Sequence, residues 1–272
     1  MTLGDWIRQA EAALAGVGID SPRLDAQLIA GSVIGRDRAY VLTHPEEEID
    51  AKTLEPLLAR RRRREPLPYI LGTREFYGRF FEVSPAVLIP RQETETLLEC
   101  VFDYLDEEPL TALDVGTGSG CIGLTLALEA PKWQVTCLDV SPDALNVAKS
   151  NARKLKAKAA FLLSDLFAEA PGPWDLIISN PPYVAEGEIS QPEVKDWEPT
   201  LALYAENRGM AVYERLLREG RDLLRPGGLM MLEVGDGRAD SLVRSAKLAG
   251  WQVAELREDL SGVPRAMVLN LP

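Results

Sequence analysis

The chain has 272 residues, 46% of them hydrophobic and 26% charged, with a formal net charge of -12. That length fits one large domain or two modest ones, and the composition excludes collagen, coiled coil and wholesale disorder. The uncharged stretch Val115 to Leu128 has 14 residues, four of them glycine, against the ~20 apolar residues that a bilayer span needs. The N-terminus carries Asp5 and Arg8 and lacks a basic region followed by an apolar run. No secretory leader is therefore expected, and the expected location is the cytoplasm. The cysteines are Cys100, Cys121 and Cys137, with no Cys-x-x-Cys pair. They fit a reducing compartment and predict neither a disulfide framework nor a zinc site. A single histidine, His44, reads as a surface or packing residue. No metal is expected.

Charge is unevenly spread. Residues 1–90 hold 12 Lys+Arg and 13 Asp+Glu, leaving 18 and 29 of the totals of 30 and 42 for residues 91–272, a net of -11. An acidic C-terminal part argues against stable nucleic-acid binding, which normally shows a basic footprint. The exception is Arg60 to Arg64, five arginines in a row. Five consecutive helical positions cover the whole circumference. The run reads either as a solvated helix end, where cations are favoured, or as a contact for an acidic partner.

Residues 1–64 read as helices. Trp6, Ile7, Ala10, Leu14 and Val17 recur at three- and four-residue steps. Asp20-Ser21-Pro22 is a start signal, with a capping side chain before a proline, and Leu24, Leu28, Ile29 and Val33 continue the stripe. Asp50 can cap a further helix through Leu54, Leu57 and Leu58. This segment is expected to be a helical, substrate-recognition domain. Residues 65–90 are rich in proline and glycine, with Phe76, Tyr77, Phe80, Phe81 and Val83 favouring strand. They predict a linker and a β-hairpin.

From residue 91 a helix to about Glu108 leads into alternating units. Apolar runs at Leu110–Val115, Val135–Val140, Ala160–Leu163, Asp175–Ser179, Leu229–Val234, Trp251–Leu256 and Ala266–Leu269 are separated early on by helical stretches. Strands alternating with helices predict an α/β fold with a doubly wound, mostly parallel sheet of seven strands over residues 91–272. The last two runs, joined by a short polar loop, are expected to pair antiparallel.

The first strand ends in Gly116-Thr117-Gly118-Ser119-Gly120, followed by a helix. Such a loop lets a ligand approach the backbone at the carboxyl end of a sheet. A dinucleotide fingerprint would need glycine at position 121, where this chain has Cys121, and that argues against NAD or FAD. Asp139 closes the second strand 23 positions after Gly116 and suits a pair of ribose hydroxyls. Ser141-Pro142 then opens a helix. Ser164-Asp165-Leu166-Phe167 falls where a loop can border an adenine, although Asp114 and Asp165 can equally cap backbone amides.

The fourth strand runs into Asn180-Pro181-Pro182-Tyr183. Two prolines stiffen the backbone and remove two donors. The Asn180 side-chain oxygen and the Pro181 carbonyl can then each accept one N–H of a planar NH2 group, and Tyr183 offers a flat face. An amide nitrogen held by two acceptors can direct its lone pair at an electrophilic methyl. No covalent nucleophile is needed, so Cys121 reads as a packing residue. A bare Pro-Pro turn, or a binding module without catalysis, is the plainer alternative.

Gly116–Gly120, Asp139 and Asn180–Tyr183, in this order, resemble the class I S-adenosylmethionine-dependent methyltransferases acting on planar amino nitrogens. That group includes enzymes acting on adenine N6 or guanine N2 of nucleic acids, which is the alternative reading of the substrate. Glu65-Pro66-Leu67-Pro68-Tyr69-Ile70-Leu71-Gly72, Arg74-Glu75-Phe76, Leu88 to Glu95, Glu198-Pro199 with Leu201-Ala202-Leu203, and Asp259-Leu260-Ser261-Gly262 with Arg265 are similar to the PrmC/HemK family. The resemblance covers nearly the whole chain. It implies a class I methyltransferase sheet and methylation of N5 of the glutamine in the Gly-Gly-Gln motif of peptide chain release factors 1 and 2, in translation termination. It further implies that Gly116, Thr117, Gly118, Ser119 and Gly120 line the methionine part of S-adenosylmethionine, that Asp139 holds the ribose and that Leu166 borders the adenine. Asn180 would touch both cofactor and substrate, and Asn180, Pro181, Pro182 and Tyr183 would hold the glutamine, with Asn180, Pro181 and Tyr183 catalytic. Position 166 is tryptophan in some members, and a backbone contact would survive the leucine. Pro90 to Thr94 is expected near the site without an assigned role. The N-terminal domain, arginine run included, would recognise the release factor, and the protein is expected to be a monomer.

Overall fold

The apolar stripe of the N-terminus folds as its spacing predicts. Leu3–Ala15 is a helix that buries Trp6, Ile7, Ala10 and Leu14, and the Thr2 hydroxyl accepts from the Asp5 amide at 3.2 Å. The computed structural model describes residues 1–106, 108–189 and 191–272. The chain forms two compact units, Met1–Thr73 with Gln191–Trp197, and Arg74–Ser190 with Glu198–Pro272.

In the first unit, helices Pro22–Ile34, Arg38–Thr43 and Ala51–Arg62 join the N-terminal one around Ile29, Ala30, Val41, Leu54 and Leu58. Asp50 caps its helix through Lys52 N at 3.1 Å. Ser21 precedes Pro22 but makes no side-chain cap, its ψ of 58° turning the hydroxyl out of the capping geometry. His44 ends the short third helix and stacks on Tyr40, ring centroids 3.9 Å apart.

The arginine run is neither a plain solvated end nor a free patch. Arg61 is buried, bonded to Asp25 at 2.6 Å and to Glu193 at 3.1 Å. Arg64 reaches Glu193 at 2.8 Å and the carbonyls of Val17 and Gly18. Arg60 is paired with Glu65 at 2.5 Å. Arg62 and Arg63 are exposed. A guanidinium has five donors in a fixed fork, so it can satisfy several acceptors gathered from distant positions.

Next in the chain comes the expected hairpin, β1 (Thr73–Phe76) and β2 (Arg79–Glu82). Its two-residue turn, Tyr77 and Gly78, has φ of 49° and 70°, the double positive φ that hairpin turns favour. The helix expected from residue 91 starts as a single 3-10 turn, Gln92–Thr94, and its α-helical part is Glu95–Tyr104. Position 107, inside the predicted helix, lies outside the described residues.

The seven remaining strands are β3 (Thr111–Val115), β4 (Gln134–Asp139), β5 (Ala160–Leu163), β6 (Trp174–Ser179), β7 (Leu224–Glu233), β8 (Gln252–Glu258) and β9 (Pro264–Asn270). They form one sheet in the order β5-β4-β3-β6-β7-β9-β8, parallel except for β9, which is antiparallel to both neighbours. Side chains alternate strictly between two cores. Ala112, Leu176, Ile178, Met231 and Val268 face the helices Glu95–Tyr104 and Cys121–Glu129. Leu113, Ile177, Met230, Leu232 and Met267 face Ala211–Glu219 and Ala239–Leu248. Both faces are covered, which is why the strands read as unbroken apolar runs.

The strand order reverses direction between β3 and β6, the crevice where open α/β sheets bind ligands. In register, Asp114 lies level with Cys137 of β4 and with Ile178 of β6. The three strands therefore end side by side, at Val115, Asp139 and Ser179.

Candidate functional site

Two corners of the second unit meet at these strand ends. The first is the glycine loop. Gly116, Gly118 and Gly120 have φ of 72°, 55° and 84°, the left-handed region that side chains disfavour. The amides of Gly116 and Thr117 both donate to Leu138 O, at 2.9 and 2.8 Å. A Cβ built at Gly116 or Gly118 would meet nothing within 4 Å, so the loop borders open space there, whereas one at Gly120 would meet Leu124 at 2.8 Å. Ser119 is held by its carbonyl, which accepts from the buried Asn151 at 2.9 Å. Asn151 also brackets Glu82 of β2, donating to its carbonyl and accepting from its amide.

Asp139 is fixed from both sides. Oδ2 accepts from Gly118 N and Oδ1 from Ser141 N, each at 2.9 Å. Burial raises its pKa, and the amides of Ser141, Gly118 and Val140 oppose the rise. The carboxylate retains free lone pairs, since each oxygen can accept more than one bond. Asp114, one strand over, is wholly buried. Its Oδ2 accepts from the Thr117 hydroxyl at 2.5 Å and Gly123 N at 2.9 Å, while Oδ1 has no partner among the described residues. Burial outweighs both bonds and pushes its carboxyl to about 6. Asp114 thus caps an amide, as one reading of the sequence allowed, but Asp165 pairs with Arg215 at 2.9 Å instead. Leu166 has a φ of 48° and its carbonyl accepts from the Ser164 hydroxyl at 2.7 Å. Burial pushes the Cys121 thiol up to about 12, so it stays protonated and unreactive at neutral pH.

The second corner follows β6. Asn180 Nδ2 donates to the buried Thr94 hydroxyl at 3.2 Å. The Tyr183 hydroxyl donates to Oε1 of Glu233 at 3.3 Å. Tyr183 sits over Gly235, where a Cβ would come within 2.4 Å of its ring, and its carbonyl accepts from Arg238 at 3.2 Å. Glu233, the last residue of β7, is 1% exposed, and its Oε2 has no hydrogen-bond partner among the described residues. Burial pushes its carboxyl to about 7, against the Thr94 and Tyr183 hydroxyls and the Arg265 charge. Glu198 is buried as well, accepting from Ile89 N at 3.1 Å and Arg91 at 2.6 Å. It thereby anchors the segment that delivers Thr94.

Gly116 to Gly120 and Asp139 fall at the first corner and Asn180 to Tyr183 at the second, with Leu166 on the loop after β5. Thr94, expected near the site without a role, lies against Asn180; sequence reasoning missed Asn151, Glu198 and Glu233 as supports. One signal was present for Glu233, an acid inside the apolar run Leu229–Val234. Among the described residues no group of three or more His, Cys, Asp or Glu could hold a metal, and no helix is long and apolar enough to cross a membrane.

Residues 5–72 match the PrmC N-terminal domain and residues 92–196 the methyltransferase small domain. A release factor glutamine methyltransferase from Koribacter versatilis is 44% identical over 280 residues, spanning 100% of this chain and 99% of the relative. One from Escherichia coli is 37% identical over 261 residues, spanning 93% of each. Among solved structures, a methyltransferase from Pyrococcus furiosus superposes with a TM-score of 0.56 at 18% identity, over 71% of this chain and 89% of that one. That last likeness shows the fold alone.

Proposed function

The chain belongs to the PrmC/HemK family of release factor glutamine methyltransferases, and on that premise we propose that it methylates N5 of the glutamine in the Gly-Gly-Gln motif of peptide chain release factors. S-adenosylmethionine, when bound, supplies an electrophilic methyl group on a sulfonium sulfur. The amide nitrogen forms the new N–C bond, the C–S bond breaks with its electron pair left on sulfur, and the extra N–H proton goes to water. The residues of both corners fit the methyl donor. The open backbone at Gly116 and Gly118 leaves room for its methionine part. The Asp139 carboxylate, oriented by two amides, would accept from the ribose hydroxyls. No described residue accepts from the Leu166 N–H, which is free for an adenine nitrogen.

The substrate glutamine would be held by Asn180 and Pro181. With Nδ2 of Asn180 bonded to Thr94, Oδ1 is the limb left to accept. Together with the Pro181 carbonyl it would hold both N–H bonds of the substrate amide, drawing density to the nitrogen as positive charge develops. Such alignment can supply as much as ~7–11 kcal/mol of a barrier. A hydroxyl in place of the amide would leave one buried acceptor unpaired, at a cost of about 1–3 kcal/mol. Tyr183 would lie flat against the amide.

The observation that carries this reading is the level ending of β4 and β6 on either side of β3, with Asp139 and Asn180 at the same height. Parallel strands lie about 4.8 Å apart, so the backbones at these two strand ends are separated by roughly 10 Å. We place the enzyme in the cytoplasm, where release factors act. The test is incubation with labelled S-adenosylmethionine and a release factor, with the methyl mapped by mass spectrometry. A methyl on the Gly-Gly-Gln glutamine is expected, and none on a factor with that glutamine replaced. Label transferred to RNA or DNA but not to release factor would overturn the reading.

A further inference from the structure

Asparagine favours caps and turns over helix interiors, because its side chain competes for backbone groups. Yet Asn151 stands inside the helix Pro142–Leu155, wholly buried, on a face otherwise made of Ala144, Leu145, Ala148 and Ala152. Its amide is spent on the backbone of two distant segments. Nδ2 donates to Ser119 O at 2.9 Å and to Glu82 O at 3.0 Å, and Oδ1 accepts from Glu82 N at 2.6 Å. A carbonyl only accepts and a backbone N–H only donates, so one orientation of the amide serves all three bonds and the flipped one serves none. For Glu82 the side chain does the work of a neighbouring strand, at the end of a sheet of two strands.

Both ends of this link have room to shift. Ser119 sits between Gly118 and Gly120, whose left-handed φ angles leave the peptide planes beside it little side-chain resistance to turning. The loop borders open space at Gly118, and among the described residues Asn151 is the one donor to the Ser119 carbonyl. At the other end Phe81 is locked in the core. Glu82, next along, has its carboxylate on Ser150 at 2.7 Å and on Lys154 at 3.3 Å, neighbours of Asn151 on the same helix. We propose that Asn151 is a positioning residue that joins the glycine loop to β2, so that S-adenosylmethionine at the loop and order at Glu82 stabilise each other. A ligand filling the open side of the loop fixes the plane of the Ser119 carbonyl, and through it the Asn151 amide and Glu82. The effect is reciprocal: whatever loosens Asn151 weakens the ligand by the factor by which the ligand tightens Asn151. The inference rests on the methyl-transfer reading for the identity of the ligand.

Hydrogen exchange at the Glu82 amide tests this, because that amide donates to Asn151 Oδ1 and lies outside the residues expected to touch the ligand. In wild type, saturating S-adenosylmethionine is expected to slow exchange there about fivefold or more, the lower range of a coupling between sites. Amides of β8, at an edge of the large sheet, serve as the reference and should slow less. Asn151→Ala is expected to abolish the response and to weaken S-adenosylmethionine about tenfold by titration calorimetry. Its kcat at saturating S-adenosylmethionine should stay within about threefold of wild type, since the corner after β6 keeps its own bonds. Ser150→Ala removes the bond to the Glu82 carboxylate alone. It is expected to speed exchange at Glu82 and to keep the response to the ligand. A Glu82 amide that ignores bound S-adenosylmethionine, or that slows no more than β8, overturns the proposal, and the wild-type protein suffices for that result if N151A does not fold. Loss of the response in S150A as complete as in N151A overturns the assignment to Asn151. Binding with the Glu82 response intact, in a protein that leaves the Gly-Gly-Gln glutamine unmethylated, overturns the functional reading and leaves the link standing.

Discussion

The two corners of the site are built from different materials. At the glycine loop the bonds are mostly to backbone and mostly close in sequence: Gly118 to Asp139 spans 21 positions, and Asp139 to Ser141 two. At the corner after β6 the bonds join side chains, and they reach across the sequence, 86 positions from Asn180 to Thr94 and 50 from Tyr183 to Glu233. A backbone cradle suits a ligand that is the same in every turnover, because its shape follows from φ angles that few residues can adopt. A side-chain network suits the group that must be told apart from other nucleophiles, because a misplaced donor is costly when buried.

The contrast can be broken in four places. The largest effect is expected outside the site, where a side-chain network has no chemistry to perform. Arg61→Leu leaves Asp25 and Glu193 without their shared cation, and thermal or urea unfolding should show a loss of about 3–5 kcal/mol, as when one partner of a buried pair is removed. Burial already raises the Asp25 carboxyl against the pull of Arg61. Next, Asn180→Ala should cut kcat for methyl transfer about 10²–10³-fold, the range for removing one preorganised polar group at a reacting centre. Steady-state assays that find the loss in KM alone would make the second corner a mere binding surface. Third, Asp139→Ala should weaken S-adenosylmethionine by about 1.5–3 kcal/mol, the worth of hydrogen bonds to a charged group, as read by titration calorimetry.

The smallest effect concerns pH. Asp114 is raised from 3.8 to about 6 by burial, so between these values the folded chain holds a proton that the unfolded chain has lost. Stability from this group is complete below pH 4 and declines as pH rises through 6, with a slope of at most ~1.4 kcal/mol per pH unit. Denaturant unfolding of wild type and Asp114→Asn at pH 4.5 and 7.5 should differ in that slope. Parallel curves would mean that the glycine corner carries no proton-linked strain.

Much of this was legible in the sequence, and the boundary follows the same division. Strands buried on both faces announce themselves as unbroken apolar runs, so Leu229–Val234 and Ala266–Leu269 fall on β7 and β9. Ser141-Pro142 opens its helix with the Ser141 hydroxyl accepting from Ala144 N at 3.2 Å, a bond fixed by local spacing. Ser21 has the same motif and no such bond, its ψ being 58° against 117° at Ser141. Partners chosen by tertiary structure left no local trace. Pro90 to Thr94 is expected near the site, but nothing there announces the bond from Asn180 to Thr94, and nothing near Arg61 announces Glu193. The arginine run looked like surface because side-chain charge was weighed without the carboxylates that folding brings to it.

The excursion of residues 191–197 into the helical unit has a consequence for anyone wishing to graft that unit elsewhere. The chain departs after position 190, lends Glu193 to Arg61 and Arg64, and returns at Glu198 to grip Ile89 and Arg91. Cutting once behind Thr73 would therefore not yield a whole module: the excised piece would carry two arginines deprived of a carboxylate, and the remainder a dangling heptapeptide with its glutamate unmatched. A chimera between relatives has to be spliced at three points, not one.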